Sequence, residues 1–380
     1  MKIGIMTLWG AFDNYGQQFQ VYALQHFLRK NGHDAFIIRY EYKKDVRKKK
    51  WFEYFYTIKY IFDFGFICNQ VKQRVYKAPV NSIDRRFDEF ANINIKFSEN
   101  VYKNIFELQK KPPEADVYIT GSDQVWNFSD QYKPYENKIQ AFYLNFGKDN
   151  IKRIAYAASF GKEKYGKALK KYVTPFLKKF DMITCREKQG VKICNSMQIE
   201  SKLTLDPVFL NDKNEYLKLI DNVNPLENER FCLVYLLGNS TVVDYKKIEQ
   251  YARENVCKII FVPGKGFHQN IYEEIYPTPT EWLWYMNNAE FIITNSFHGT
   301  AISVILKKQF SVLPLAGKNS VKQNDRIYTM LELLNISSEH IGLEKNPLSI
   351  KTNWTSVENN IKTLNRDIGL LAYINREEKV

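Results

Sequence analysis

Cysteine is scarce in this chain, and its spacing excludes a good deal. The five cysteines, at positions 68, 185, 194, 232 and 257, are odd in number and form no C-x-x-C pair. Neither a zinc framework nor a disulfide scaffold is built that way, and runs such as "FCLVYLL" bury a thiol as a small apolar side chain. Histidine is equally sparse, with five in all. No H-E-x-x-H or EF-hand loop occurs, so neither a metal nor a cofactor is expected. A G-x-S-x-G elbow, a Walker loop and a G-x-G-x-x-G fingerprint are missing too, against serine-hydrolase, P-loop and dinucleotide chemistry. No run approaches the roughly 20 apolar residues of a spanning helix. "MKIGIMTLWG" lacks the apolar stretch of a signal peptide. The expected setting is reducing and cytoplasmic.

What is present is a chain of 380 residues, 44% apolar, with 25 Tyr and 26 Phe. That is enough for two folded cores and too apolar for disorder. Lys and Arg number 55 against 42 for Asp and Glu, a formal charge of +13. The surplus predicts an acidic partner. Nucleic acid is not that partner, because no basic recognition helix or aromatic RNA-binding strand accompanies the charge. One local cluster stands out. "YKKDVRKKKWFEYFYTIKYIFDFGFI", residues 42 to 67, runs from lysines into aromatics. It reads as a helical pair against the N-terminal domain, or as an element touching an anionic membrane surface from the inner face.

Strand and helix patterns alternate along the chain. "KIGIMTL", a Gln17–Lys30 stretch with Phe19, Tyr22, Ala23 and Phe27 on one face, and "DAFIIRY" make a βαβ opening. "DVYITGS", "AFYLNF", "RIAYAAS" and "DMITC" read as further strands. The polar stretch 204 to 231 is placed as the connection between domains, and a second βαβ series runs from "FCLVYLL" to "QFSVLPL". The organisation expected is an N-terminal α/β domain over 1–210 with an insertion at 42–77. A C-terminal α/β domain over 228–345 follows, then a helical segment over 346–380 that packs back.

Ligands of open α/β sheets bind beyond the carboxyl ends of the strands. The strand ends therefore supply the candidates. "GAFDNYGQQ" offers Asn14, Tyr15 and Gln17, and "ITGSDQVWN" offers Ser122, Asp123, Gln124 and Trp126. Carboxylate, amides and an indole face are the materials of a sugar site, although turn-forming, helix-capping and core packing use the same residues. "YLLGNS" presents Gly238, Asn239 and Ser240, and "FVPGKGFHQN" presents Lys265 and His268. Arg186 and, beside Asn324, Arg326 are further cations, each with an acidic neighbour. "FIITNSFHGTAI" sets His298 between a strand and a helix, with Ser296, Gly299 and Thr300 around it. A helix N-terminus disfavours imidazolium unless an anion sits there. With such an anion, His298 is a group that binds charge or delivers a proton.

Taken in order, "DNYGQQFQVYALQ", "ITGSDQVWN", "TCREKQG", "LDPVFL", "TNSFHGT" and "NDRI" resemble the polysaccharide pyruvyl transferase family over residues 3 to 335. The resemblance implies two Rossmann-like, doubly wound domains facing a cleft, as in GT-B glycosyltransferases. It implies transfer of the enolpyruvyl group of phosphoenolpyruvate, a co-substrate, onto two sugar hydroxyls of a surface-polysaccharide precursor. A cyclic ketal forms and phosphate leaves. The acceptor is a glycan or a lipid-linked oligosaccharide, and the family histidine falls on His298. The donor side takes Gly238, Asn239, Ser240, Lys265, His268, Ser296, Gly299, Thr300, Asn324, Arg326 and Arg186. The acceptor side takes Asn14, Tyr15, Gln17, Ser122, Asp123, Gln124 and Trp126. Some members carry an arginine where this chain has Ser296, so Arg186, Arg326 or Lys265 stands in for it. A nucleotide-sugar glycosyltransferase and a non-catalytic glycan-binding protein are the alternative readings.

Overall fold

The structure, a computed structural model, describes residues 1–10, 14–41, 83–226, 229–238, 242–264, 267, 269, 271–315 and 320–376, the side chains of 320–323 excepted. The segment 42–77, Asn239, Ser240, Lys265 and His268 lie outside the described residues.

Strands β1 (Lys2–Met6), β2 (Asp34–Tyr40), β3 (Phe97–Tyr102), β4 (Val117–Thr120), β5 (Lys152–Ala158), β6 (Met182–Cys185) and β7 (Lys202–Leu203) pair in parallel, in the order β3-β2-β1-β4-β5-β6-β7. Side chains alternate across this sheet because a strand turns successive residues to opposite faces. Ile3, Ile5, Val117 and Ile119 pack on one side. Met6, Phe36, Ile38 and Tyr118 pack on the other. Both faces are apolar, so both are covered by helices. A second parallel sheet contains β8 (Phe231–Leu236), β9 (Lys258–Pro263), β10 (Phe291–Thr294) and β11 (Gln309–Val312), in the order β11-β10-β8-β9. Its faces divide in the same way, with Leu233, Tyr235 and Ile292 on one side and Cys232, Val234 and Ile293 on the other. The winding reverses between β1 and β4 in the first sheet and between β8 and β10 in the second. Those reversals open crevices at the strand carboxyl ends.

The two units meet along the helix Tyr15–Lys30, twelve of whose sixteen residues are buried. An amphipathic surface helix would show one apolar face; this one is apolar on two, because each unit claims one. Val21, Leu24 and Leu28 face the first sheet. Tyr15, Phe19, Tyr22 and Ala23 join Trp282, Tyr235 and Phe297 of the second unit in one apolar cluster. Tyr15 lies flat against Trp282, centroids 5.1 Å apart and planes at 6°. Buried glutamines on this helix are bonded in place. Gln20 donates to Leu8 and Thr7, and Gln25 bridges the backbone of Lys96.

One sequence expectation changes. "AFYLNF" is not a strand; the helix Glu136–Phe142 runs into it, followed by a turn with Leu144 at φ 51°. The reason is Arg153, whose guanidinium donates to the carbonyls of Leu144, Phe146, Lys148, Asp149 and Ile151 and folds the loop around itself. The connection after residue 204 starts inside the core. Residues 204 to 209 are buried, with Leu205, Val208 and Phe209 in the shared cluster. After the second sheet, the helices Trp354–Ile368 and Leu370–Asn375 break at Gly369, φ 61°. Leu370 and Ile374 pack into the first unit's core.

Glu215 fastens the connector to the seam helix by accepting from Lys30 at 2.7 Å, Lys218 at 2.9 Å and His26 at 2.9 Å. These bonds draw its carboxyl down to about 2. A depressed carboxyl contributes stability that is complete above the unfolded value near 4.5 and vanishes as pH falls toward the folded one. Glu215→Gln should therefore cost on the order of 2 kcal/mol at pH 7 in denaturant titrations. The gap to the parent should close between roughly pH 4.5 and pH 2.

Candidate functional site

The exits of β4, β6 and β10 and the chain just after β7 converge on one cluster. Arg186 follows β6 and is 2% exposed. It donates through Nη1 to Asp206 Oδ2 at 2.6 Å and through Nη2 to Asp123 Oδ1 at 3.3 Å. Ser122 Oγ donates to the same Asp206 Oδ2 at 2.7 Å. Asp206 also caps the short Pro207–Leu210 helix, its Oδ1 accepting from the Val208 N–H. From the second unit, His298 places Nε2 at 3.6 Å from Asp206 Oδ2. That nitrogen is buried and has no hydrogen-bond partner among the described residues. Asp206 thus sets a carboxylate beside a histidine at a helix N-terminus.

Burial alone would raise the Asp206 carboxyl, but His298, Arg186 and Ser122 overcome it and hold it far below the usual carboxylate range. Asp123 is likewise held down against burial, chiefly by Arg186. Glu187 moves the other way. Burial raises its carboxyl, and the Arg186 and Arg326 charges only partly offset this. One Glu187 oxygen accepts from the Phe160 N–H at 2.9 Å, while the other is buried without a partner. Arg326, on the helix Ser320–Leu333, makes no ion pair among the described residues, and its Nε is buried without a partner. Burial, and then the like charge of Arg186, pull its guanidinium down to about 10. Arg186 and Arg326 lie over the Phe297 ring at 4.6 and 5.9 Å. A guanidinium lowered by burial and by its cationic neighbour, and without an ion pair among the described residues, makes a place for an anion.

His298 is held from three directions. The helix Phe297–Ile305 begins beneath it, with Ser296 as its cap accepting from the Gly299 N–H at 3.2 Å. Asn295 fixes the approach through two bonds to the Leu237 backbone, 2.7 and 2.8 Å. Above it lies Gly16, where a Cβ would fall 2.3 Å from His298 Nδ1. The glycine in "NYGQQ" is therefore required by a side chain about 280 positions away in the chain, not by its own turn.

Several sequence candidates have other work. Trp126 is fully buried, stacks on Tyr143 and donates to Phe142 O, so its indole face is closed to a sugar. Tyr15 is fully buried at the seam and donates to Pro277 O at 2.6 Å. Ser122, also fully buried, bonds Asp206 and faces no open space. Asn324 clamps the Leu315 backbone with both amide atoms at 3.0 Å, and Asn14 caps the seam helix at Gln17. Thr300 returns its hydroxyl to Ser296 O. Gly299 is demanded by Thr294 Oγ1, 2.6 Å from where a Cβ would stand. Arg186, expected on the donor phosphate, is consumed by two carboxylates. What stays together at the seam is His298, Asp123, Arg186 and Arg326, with the buried Gln17 on the helix alongside. Gln124 lies at the same loop with its amide oxygen bonded to Asn127. Gly238, at the β8 exit with φ 59°, has open space where a Cβ would stand.

Asp206 and Glu187 escaped the strand-end reading. Asp206 lay inside the stretch placed as the connection between domains; its signal was the Asp-Pro pair directly after a short strand. Among the described residues, no group of three metal-ligating side chains comes together, and no helix is long and apolar enough to cross a membrane.

The family model for polysaccharide pyruvyl transferase matches residues 14–315. The chain belongs to that family. No curated protein sequence matches it significantly. Among solved structures it is similar to a putative UDP-N-acetylglucosamine 2-epimerase of Listeria monocytogenes (TM-score 0.49, 10% identity, 100% of this chain and 98% of that one). It is also similar to the Neisseria meningitidis UDP-GlcNAc 2-epimerase (0.47, 11%, 98% and 100%) and that of Methanocaldococcus jannaschii (0.43, 14%, 96% and 100%). For this pyruvyl transferase family member, Asp206 joins Arg186 of the first unit to His298 of the second. Asp206→Ala should cost about 2–3 kcal/mol in denaturant unfolding, because it leaves a buried guanidinium with only its longer contact to Asp123. Gly16→Ala should cost about 1–3 kcal/mol and displace the His298 ring, visible as a shifted imidazole resonance.

Proposed function

We propose that the protein transfers the enolpyruvyl group of phosphoenolpyruvate onto two hydroxyls of a sugar in a polysaccharide precursor. The observation that carries this is His298 facing an ionised Asp206 beside an unpaired Arg326. That is a proton donor with its counter-charge next to a vacant seat for an anion. The chemistry needs those parts. Protonation of the methylene carbon of phosphoenolpyruvate turns it into a methyl group and leaves C2 cationic, stabilised by the ester oxygen. His298 is the acid for that step, and Asp206, held by Arg186 and Ser122, keeps the ring oriented. A sugar hydroxyl oxygen then bonds to C2 and gives its proton to the now neutral imidazole. The C2–O bond to phosphate breaks, phosphate leaves with the electron pair, and the second hydroxyl closes the ring, its proton going to the phosphate. Arg326 binds the phosphate or carboxylate of the donor, in the role an arginine at position 296 would otherwise fill. Burial at the seam strengthens every one of these charge interactions.

The test is phosphate release from phosphoenolpyruvate over a panel of galactosides. Release that depends on the acceptor is expected. Silence across the panel, with stabilisation by a nucleotide sugar instead of phosphoenolpyruvate, would overturn the reading. His298→Ala should remove turnover while the melting temperature stays within a few degrees. Arg326→Gln should raise the KM for phosphoenolpyruvate about tenfold or more, the scale of a lost charged hydrogen bond.

A further inference from the structure

Cys185 and Cys194 bring their sulfur atoms within 3.9 Å of each other, and both side chains are fully buried. Neither takes part in the chemistry at His298. Their place gives the contact its interest. Cys185 ends β6 and directly precedes Arg186 and Glu187, while Cys194 lies on the helix Lys188–Asn195. Arg186 and Glu187 therefore sit on the short loop that the two thiols close. The contact also makes the thiols unequal: Cys185 draws Cys194 below the usual thiol range and is itself pushed up. One sulfur is thus suited to attack an oxidant and the other to resolve the product.

A bond between them cannot form by simple approach. A disulfide needs its sulfurs at about 2 Å. Gly190, one helical turn before Cys194, already lies against Cys185: a Cβ there would stand 2.9 Å from Cys185 Cβ and 3.2 Å from its Sγ. Cys185 is fixed from the other side. Its carbonyl accepts from the Thr204 N–H at 2.9 Å, and the next N–H, of Arg186, donates to Ala158 O at 3.4 Å. The helix Lys188–Asn195 is then the part that must turn or slide. It is in contact with the helix Ser320–Leu333, which carries Arg326, and Lys188 Nζ binds Glu332 of that helix at 2.6 Å.

We propose that Cys185 and Cys194 form a redox switch: a hydroperoxide joins them as a disulfide, the helix Lys188–Asn195 shifts, and anion binding at Arg326 weakens. The consequence for the donor rests on pyruvyl transfer at this site. Cys194 sulfur attacks the outer oxygen of the hydroperoxide, keeps it as a sulfenic acid, and the O–O bond breaks. The remaining oxygen takes the Cys194 proton and leaves as an alcohol, or as water from hydrogen peroxide. Cys185 sulfur then bonds to Cys194 sulfur, and the sulfenic oxygen leaves as water with the Cys185 proton. Two electrons pass from the sulfurs to the peroxide. Access comes from the helix itself. It is eight residues long, and its N-cap residue Glu187 makes no capping bond, because the carboxyl turns inward to the Phe160 N–H. A short helix without a cap opens locally at small cost.

The folded protein treated with hydrogen peroxide provides the test. Free thiols are blocked under denaturing conditions and the peptides are mapped by mass. A Cys185–Cys194 linkage, lighter by two hydrogens and reversed by dithiothreitol, is expected. Calorimetry with phosphoenolpyruvate and with inorganic phosphate should show about tenfold weaker binding to the oxidised protein. Amide hydrogen exchange across 320–333 should be faster in that form. Reduced Cys194→Ala should bind like the parent and keep its affinity after peroxide; if it does not fold, Cys194→Ser serves as the same control. Both cysteines recovered as separately blocked thiols after peroxide would overturn the proposal. So would a disulfide that leaves anion binding unchanged, or a loss of affinity in Cys194→Ala equal to that of the parent. If the reduced parent neither binds phosphoenolpyruvate nor releases phosphate from it, pyruvyl transfer fails. The linkage and the exchange across 320–333 then decide the switch on their own.

Discussion

A guanidinium taken out of water has to be matched where it stands, and Arg186 is matched by Asp206 and Asp123. That match holds the candidate site together. It joins the exits of β4 and β6 to the chain that leaves β7, so three separate returns of the first unit are locked into one surface. Asp206 then presents its charge to His298 across the seam. Without the pair, the carboxylate and the guanidinium would each be buried alone, which costs far more than the pair returns. The arrangement is therefore better read as specifying geometry than as a source of stability.

The apolar seam does the complementary task. Tyr15, Phe19, Trp282, Tyr235 and Phe297 weld two sheets that each have a complete core of their own. Ring contacts at 5.1 to 5.8 Å between centroids, one of them a flat stack, leave little freedom for one unit to turn against the other. The first turn of the seam helix then lies on His298, with Gly16 as the only residue type that fits. Hydrophobic packing sets the distance between the units, and the ion cluster uses that distance. Two kinds of interaction with different ranges thus settle one geometry.

Much of this was legible in the residue pattern. Apolar runs with turn chemistry at their ends marked the strands, and their alternation with helical periods required parallel sheets with helices on both faces. His298 was legible as well, because a histidine between a buried strand and a buried helix stands at a strand's carboxyl end whatever the tertiary fold. Trp126 and Tyr15 show where pattern reading stops. Both have the composition of a sugar site, and both are core, because nothing local distinguishes an aromatic that faces a cleft from one that faces a neighbouring helix. "AFYLNF" shows the same limit for strands: the run is apolar enough, but Arg153 from β5 draws its carbonyls inward.

The sequence alone, then, determined most of the elements, their order, the family and the strand ends at which chemistry is possible. Those follow from interactions within a few residues along the chain, and local periodicity records them. Only the tertiary structure decided that Asp206 faces His298, that Arg186 is paired while Arg326 makes no ion pair among the described residues, and that Gly16 answers to a ring in the other unit. Each of these depends on groups far apart in the chain, brought together by packing. Their energies, being Coulombic and steric, vary with distances that no one-dimensional pattern carries.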